Sequence, residues 1–219
     1  MAKTSVVLSF HEVLLHQSDV DLLDGPHWLN DSVISFYFEY LEKVTFRNAK
    51  ELLFVSPEVT QCIKMVGVEE IKIFLEPLNI DKKSFVFFAL NDNSSPDRAG
   101  GSHWSLLVYS KKESCFFHLD SSSGSNHDFQ VSTELFTLKQ AKKIFIGYLF
   151  SDSINFINKE CAQQSNGYDC GVHVICNTER LAEHAHRHNE INSCDLSVKI
   201  NHVAKRKDIL KIIQNLSSK

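Results

Sequence analysis

The sequence predicts one α+β domain over residues 1–219, with a cluster of strands at its centre and helices on either side. Three observations carry that expectation. The stretch Ser84–Leu90 (SFVFFAL) is a continuous apolar run of the kind a doubly buried strand shows. Two more strand-like runs follow, Trp104–Tyr109 and Cys115–Leu119, joined by the polar turn Ser110-Lys111-Lys112-Glu113. Helical periodicity lies both before this cluster and after it.

Taken in order, the chain opens on Val6, Leu8, Val13, Leu14 and Leu15, then turns polar at Gln17-Ser18-Asp19. Leu22-Leu23-Asp24-Gly25-Pro26 reads as a turn. Asn30 or Asp31 can cap a helix running through Phe36, Tyr37, Tyr40 and Leu41. Val55-Ser56-Pro57-Glu58 starts a second helix, with Pro57 in its first turn and Val59, Ile63 and Val66 on one face. Between the first two central strands, Asn91–Gly101 is rich in Asn, Ser, Asp, Pro and Gly and reads as a loop. Ser121–Asn126 is a second polar loop. Glu134–Tyr148 is helical in pattern and Ile154–Ile157 strand-like. Gly171–His184 reads as a helix, and Ile209, Leu210, Ile213 and Leu216 form the apolar stripe of a last one.

Composition excludes several function classes. A formal net charge of -4 lacks the concentrated basic excess that nucleic-acid binding requires, so no nucleic-acid partner is expected. No run is long and apolar enough to span a membrane, and Met1–Leu8 lacks the apolar core of a secretory leader. None of the six cysteines forms a CxxC pair. The expectation is a cytoplasmic or nuclear chain, monomeric, with reduced and mostly buried thiols and neither metal nor cofactor. One cysteine is then available for chemistry.

That cysteine is Cys170. The polar, glycine-bearing stretch Gln163–Asp169 is a loop, and an apolar-periodic helix follows. Cys170 stands at the junction, where unpaired N–H groups and the positive end of the helix dipole favour a thiolate. Gly171 beside it would let a substrate backbone approach closely. Taken alone, a cysteine at a helix start is more often a small buried hydrophobe.

A base is supplied by His103, at the junction of the Gly100-Gly101-Ser102 loop and a strand. Asp120 ends the strand that should pair with the one His103 begins, and a hairpin places those two ends side by side. A carboxylate there would fix the imidazole tautomer and stabilise the cation. An amide in the same loop as Cys170 could donate to a developing oxyanion together with the Cys170 backbone N–H. Gln164 and Gln163 compete for that role, and the residues alone do not separate them. The joint placement of these groups at strand and helix ends supports a Cys/His/Asp hydrolase.

Four pieces carry a resemblance: Trp28-Leu29-Asn30-Asp31, Gly101-Ser102-His103-Trp104-Ser105, His118-Leu119-Asp120-Ser121 and Gln164–Gly171. In this order and spacing they resemble the ubiquitin-like-modifier proteases of the SUMO-protease and adenovirus-protease type, from about Leu8 to the last helix. Within that family the chain is most similar to the deneddylases. That likeness is carried by Leu22-Leu23, Ser56–Gln61, Phe74–Leu78, Asn91-Asp92-Asn93 and Ile175–Glu179.

The resemblance implies a papain-like α+β fold with a central mixed sheet. It implies Cys170 as nucleophile, His103 as base, Asp120 as orienting acid and Gln164 as oxyanion donor, because the family's glutamine stands six positions before the cysteine. It implies that Trp28 and Trp104 wall a tunnel only a Gly-Gly tail can thread, with Asp31, Asn91 and the Asn91–Gly101 loop at its mouth. The implied substrates are conjugates of the neddylation modifier, cullin-type ones among them, and its precursor. Leu119 stands where the family commonly has an aromatic, and Val172-His173 where Met and an aromatic are usual; these departures touch packing.

A SUMO-specific protease is the nearest competitor. A non-catalytic module that holds a modifier's tail would have no use for an activated thiolate. An interaction scaffold leaves the paired tryptophans unexplained. His184, His186 and His188 fan out on a helix and make a poor metal set. Lys205-Arg206-Lys207 reads as a solvated helix face. Cys161 has no base near it in sequence.

Overall fold

The computed structural model describes residues 5–95, 100–122, 137, 139–144 and 154–218. A two-stranded antiparallel hairpin, β1 (Val6–Phe10) and β2 (Val13–His16), opens the chain and leads into the short helix α1 (Gln17–Asp21). Helix α2 (Asp31–Tyr40) follows. Asn30, not Asp31, is its cap, accepting from the Val33 N–H at 3.1 Å. Strand β3 (Leu52–Val55) runs into α3 (Pro57–Met65), where Ser56 caps and Pro57 occupies the first turn, as its missing N–H allows. Val66 falls just past the end of α3. The short helix α4 (Ile71–Leu75) comes next.

The central sheet has five strands in the order β3-β4-β5-β6-β7. β4 (Phe85–Asn91), β5 (Trp104–Ser110) and β6 (Cys115–Leu119) form an antiparallel meander. β3 joins β4, and β7 (Asn155–Asn158) joins β6, both in parallel, so the sheet is mixed. Helices α5 (Cys170–His188) and α6 (His202–Ser217) close the chain.

The run SFVFFAL is continuous because β4 is buried on both faces. Side chains alternate across a strand. Phe85, Phe87 and Ala89 enter one core with Ile34 and Phe36 of α2 and Val172 and Ile175 of α5. Val86, Phe88 and Leu90 enter a second core with Ile63, Ile71 and Leu75 from α3 and α4. Ala141 and Ile144, on a helical stretch over residues 139–144, complete that second core. The rest of the expected 134–148 helix, and most of the 121–126 loop, lie outside the described residues.

The expected hairpin, the helix starts and the last two helices stand where periodicity put them, with α5 four residues longer at its C-terminus than expected. The sequence reading did not find β3. Its four residues are too few for periodicity to register, and parallel pairing with β4 makes it a strand. The short helices α1 and α4 escaped for the same reason.

Candidate active site

Cys170 is the first residue of α5 and is buried. The preceding residue, Asp169, holds the cap position but makes no side-chain cap hydrogen bond. The first-turn N–H groups are therefore not taken by the usual carboxylate and remain directed at the sulfur's end of the helix.

His103 immediately precedes β5 and Asp120 immediately follows β6, so the hairpin register that pairs Leu106 with Leu119 sets them side by side. The Nε2 of His103 lies 2.8 Å from Oδ1 of Asp120. The same carboxylate oxygen accepts from the Ser122 N–H at 2.8 Å, which fixes its rotamer. His103 also hydrogen-bonds Cys170. With Nε2 on the carboxylate, Nδ1 is the ring nitrogen left for the thiol.

The electrostatics follow from these contacts. Burial disfavours an imidazolium at His103, but the hydrogen bonds and charges of Asp120 and Cys170 outweigh it and push its pKa up to about 10. Burial likewise opposes a charged Asp120, yet the hydrogen bond from His103, that ring's charge and the Ser122 N–H hold it below the usual carboxylate range. The site thus favours imidazolium and carboxylate together. That is the arrangement in which a thiol can pass its proton to the ring and become a nucleophile.

The two glutamines separate. Gln163 Nε2 donates to the Asp120 and Cys161 carbonyls at 3.0 and 3.1 Å, so its amide is spent behind the aspartate. Gln164 is pinned from both sides: its Oε1 accepts from the Ser121 hydroxyl at 2.7 Å, and its Nε2 donates to the Asn166 carbonyl at 2.7 Å. Its backbone N–H also donates to the Ser121 carbonyl at 2.8 Å. The Gln164 amide keeps a second N–H in a loop that leads directly to Cys170.

Cys170 and His103 open onto a groove of about 620 Å³ whose lining includes Trp28, Asp31, Asn91 and Trp104. The residues expected to contact substrate therefore share one surface with the thiol. The two tryptophans differ in kind. Trp104 is buried, with Nε1 donating to the Leu29 carbonyl at 3.0 Å. Trp28 projects from the surface, and its indole N–H donates to the Gly167 carbonyl. Asp31 is the first residue of α2. Asn91 ends β4 opposite Trp104, and its Oδ1 accepts from the Asn93 N–H at 2.8 Å. Gly101 has φ +93°, and a Cβ there would stand 1.9 Å from Asn91 Oδ1, so the wall can close only over a glycine.

Some expectations need correction. Gly171 does not face substrate: it is buried, and the group a Cβ would meet, at 3.0 Å, is Leu29 Cβ, so its smallness lets α5 pack under the residue next to Trp28. Of Lys205-Arg206-Lys207, only Lys207 is exposed as expected. Arg206 is 5% exposed and pairs with Asp169, and Lys205 pairs with Glu179. Of the histidines at the end of α5, His184 meets Ser193 and packs against His188 with ring centroids 4.5 Å apart, so these two do not fan out, while His186 turns to Glu51. Burial pushes the Cys161 thiol up to about 11, the opposite of activation.

Sequence reasoning also missed Asp92, which holds the base from behind. Its Oδ1 accepts from the His103 N–H at 3.1 Å and the Ser102 N–H at 2.6 Å, and its own N–H donates to the His103 carbonyl at 3.1 Å. The loop-forming composition around Asn91-Asp92-Asn93 hid a bend in which Asp92 accepts from Ser102 and His103.

Residues 27–213 match the family described as Ulp1 protease family, C-terminal catalytic domain. The chain is 44% identical to sentrin-specific protease 8 of Rattus norvegicus, covering 98% of this chain and 96% of that one. It is 34% identical to NEDD8-specific protease 1 of Arabidopsis thaliana, covering 97% and 94%. Among solved structures it resembles the C-terminal Ulp1 protease domain in complex with Smt3, the yeast ortholog of SUMO, with a TM-score of 0.71 at 21% identity over 100% of this chain and 91% of that one. The last likeness speaks for the fold.

Proposed function

This chain belongs to the Ulp1 protease family and is a cysteine peptidase, and from that premise we propose that it removes the neddylation modifier from target lysines, cutting after the modifier's C-terminal Gly-Gly. Trimming of the modifier's precursor is the same reaction on a peptide bond. The observation that carries the proposal is the contact of one imidazole with both the Asp120 carboxylate and the Cys170 thiol, at the head of a groove lined by two tryptophans.

In this reading Cys170 gives its proton to His103, and the thiolate attacks the terminal glycine carbonyl carbon. The oxyanion that forms is met by the Cys170 N–H and the Gln164 amide; one such donor contributes roughly 3–4 kcal/mol to the transition state. The imidazolium then passes its proton to the departing lysine amine, leaving a thioester on Cys170. Water, deprotonated by His103, attacks the thioester and returns the thiol and a free C-terminal carboxylate. Asp120 holds the ring orientation through both halves.

The tail would pass between Trp28 and Trp104, past Asp31 and Asn91, which line the groove beside Cys170. The choice of modifier is supported by the relatives' names, sentrin-specific protease 8 and NEDD8-specific protease 1. All six cysteines are free thiols and the catalytic groups come from one chain, which supports a monomer acting in the cytoplasm or nucleus.

The test is an electrophile-tipped modifier set: neddylation modifier, SUMO and ubiquitin, each incubated with wild type and with Cys170→Ala. An adduct with the neddylation modifier alone, lost in Cys170→Ala, is the expected result. An adduct with SUMO alone overturns the choice of modifier, and no adduct with any overturns the assignment of Cys170.

A further inference from the structure

Arg206 sits on the last helix, α6, far along the chain from every residue of the site, and yet its buried guanidinium bonds the residues that immediately precede Trp28 and Cys170, one on each side of the groove. Nη2 donates to Asp169 Oδ1 at 2.8 Å and to the His27 carbonyl at 2.7 Å. Nη1 donates to the Leu22 carbonyl at 2.7 Å, and Nε reaches Asp169 Oδ1 at 3.3 Å. His27 immediately precedes Trp28, and Asp169 immediately precedes Cys170.

The Asp169 side is itself fixed. Its Oδ2 accepts from Asn166 Nδ2 at 2.7 Å and faces His202 Nδ1 at 3.4 Å. Asn166 Oδ1 in turn accepts from the Tyr168 and Asp169 N–H groups at 3.1 and 3.0 Å. The Trp28 indole donates to the Gly167 carbonyl in this same loop. One cation therefore ties the segment that carries Trp28 to the segment that carries Cys170. A lysine could not reproduce the link, because Arg206 reaches Leu22, His27 and Asp169 from three nitrogens spread across one rigid plane, whereas an ammonium donates from a single point.

Resting on the deneddylase reading above, we propose that Arg206 is a positioning residue that sets the spacing between the Trp28 wall and the nucleophile, and so governs capture of the modifier's tail without governing the reactivity of the thiol. A small electrophile needs no wall. A Gly-Gly tail needs it.

The experiment uses the full chain, active-site-titrated, below the melting temperature of each variant. KM and kcat are measured on a fluorogenic Gly-Gly-terminated neddylation modifier, and the rate of Cys170 alkylation by iodoacetamide beside them. For Arg206→Lys we expect KM to rise about tenfold, the worth of one charge-assisted hydrogen bond. The alkylation rate should stay within about twofold. Asp169→Asn keeps the side chain's shape, weakens one branch of the link, and should raise KM about threefold; it carries the test if Arg206→Lys does not fold. A folded variant with unchanged KM overturns the proposal, as does a KM rise matched by an equal change in alkylation. Absence of turnover in the wild type overturns the deneddylase reading instead, and the proposal with it.

Discussion

Lys64 carries its ammonium from α3 into the bend that follows β4, where the carbonyl oxygens of Asn91 and Asn93 both accept from it, the second at 2.9 Å. Gln61, one turn earlier, accepts from the same ammonium at 2.8 Å and donates to the Asn93 and Ser95 carbonyls at 3.3 and 3.4 Å. Asn91, Asn93 and Ser95 line the groove together with Pro57, Glu58 and Gln61 of α3, so the helix that borders the substrate wall also fixes it. Lys64→Met takes a donor from both carbonyls, leaving Gln61 on that of Asn93. We expect a loss of roughly 1–3 kcal/mol of stability per unsatisfied group and a severalfold higher KM, read by urea denaturation and steady-state kinetics.

The same lysine predicts a pH effect. Burial holds its pKa down, to about 8, with Asp92 pulling weakly the other way. The folded state therefore binds fewer protons than the unfolded state between about pH 8 and the ordinary lysine value near 10.5, and stability rises with pH across that window. The stability difference between wild type and Lys64→Met should shift in favour of wild type from pH 8 to 10. A flat difference would show that the charge is not desolvated.

His103 predicts the opposite slope. Its folded pKa, about 10, lies above the ordinary 6.5, so the stabilisation it contributes is complete below about pH 6.5 and is lost as pH rises through 10. Wild type should lose ground to His103→Gln across that range. Asp120→Asn removes the carboxylate that raises the ring and should cut kcat by roughly 10⁴-fold, as loss of a triad acid does elsewhere, while thiol alkylation at low pH slows. Retention of full activity in Asp120→Asn would remove the acid from the mechanism.

Gly101→Ala should damage the wall more than the core. The residue sits at φ +93°, and the added methyl meets Asn91 Oδ1 at 1.9 Å. Either the loop leaves its conformation or Asn91 swings into the groove. Strain of this kind costs of order 1–3 kcal/mol. KM for the modifier should rise while the alkylation rate of Cys170 holds.

Much of this architecture could be read from the chain because it is local. The apolar run Phe85–Leu90 reads as a strand buried on both faces, and the polar turn from Ser110 suggests the hairpin that sets His103 against Asp120. Cys170 stood at a composition boundary that is also a helix start. What stayed hidden depends on contacts distant in sequence. Arg206 looks solvated among Lys205 and Lys207, and only the packing of α6 against the loops at Leu22 and Asp169 buries it. Lys64 sits on an amphipathic helix where a lysine is ordinary, and its burial follows from the return of β4 beside it. Asp92 reads as loop polarity until Ser102 and His103 are seen to donate to it.

The two tryptophans make the sharpest contrast. If Trp104 were only a tunnel wall, Trp104→Ala would weaken cleavage more than it harms folding. The structure argues otherwise, because Trp104 is only 9% exposed, packs in the main core and hydrogen-bonds the Leu29 carbonyl. Truncating it should cost roughly 3–5 kcal/mol, so lost activity would track lost folding. Trp28 is 48% exposed and gives up little beyond its bond to Gly167, a cost of about 1 kcal/mol. Trp28→Ala should therefore fold, keep its rate of Cys170 alkylation, and lose cleavage of the Gly-Gly-tailed modifier by tenfold or more, equivalent to about 1.4 kcal/mol. Thermal melts beside modifier cleavage distinguish the outcomes. If Trp28→Ala cleaves as well as wild type, the exposed indole is not a wall of the tail site, and specificity must reside in Trp104 and Asn91.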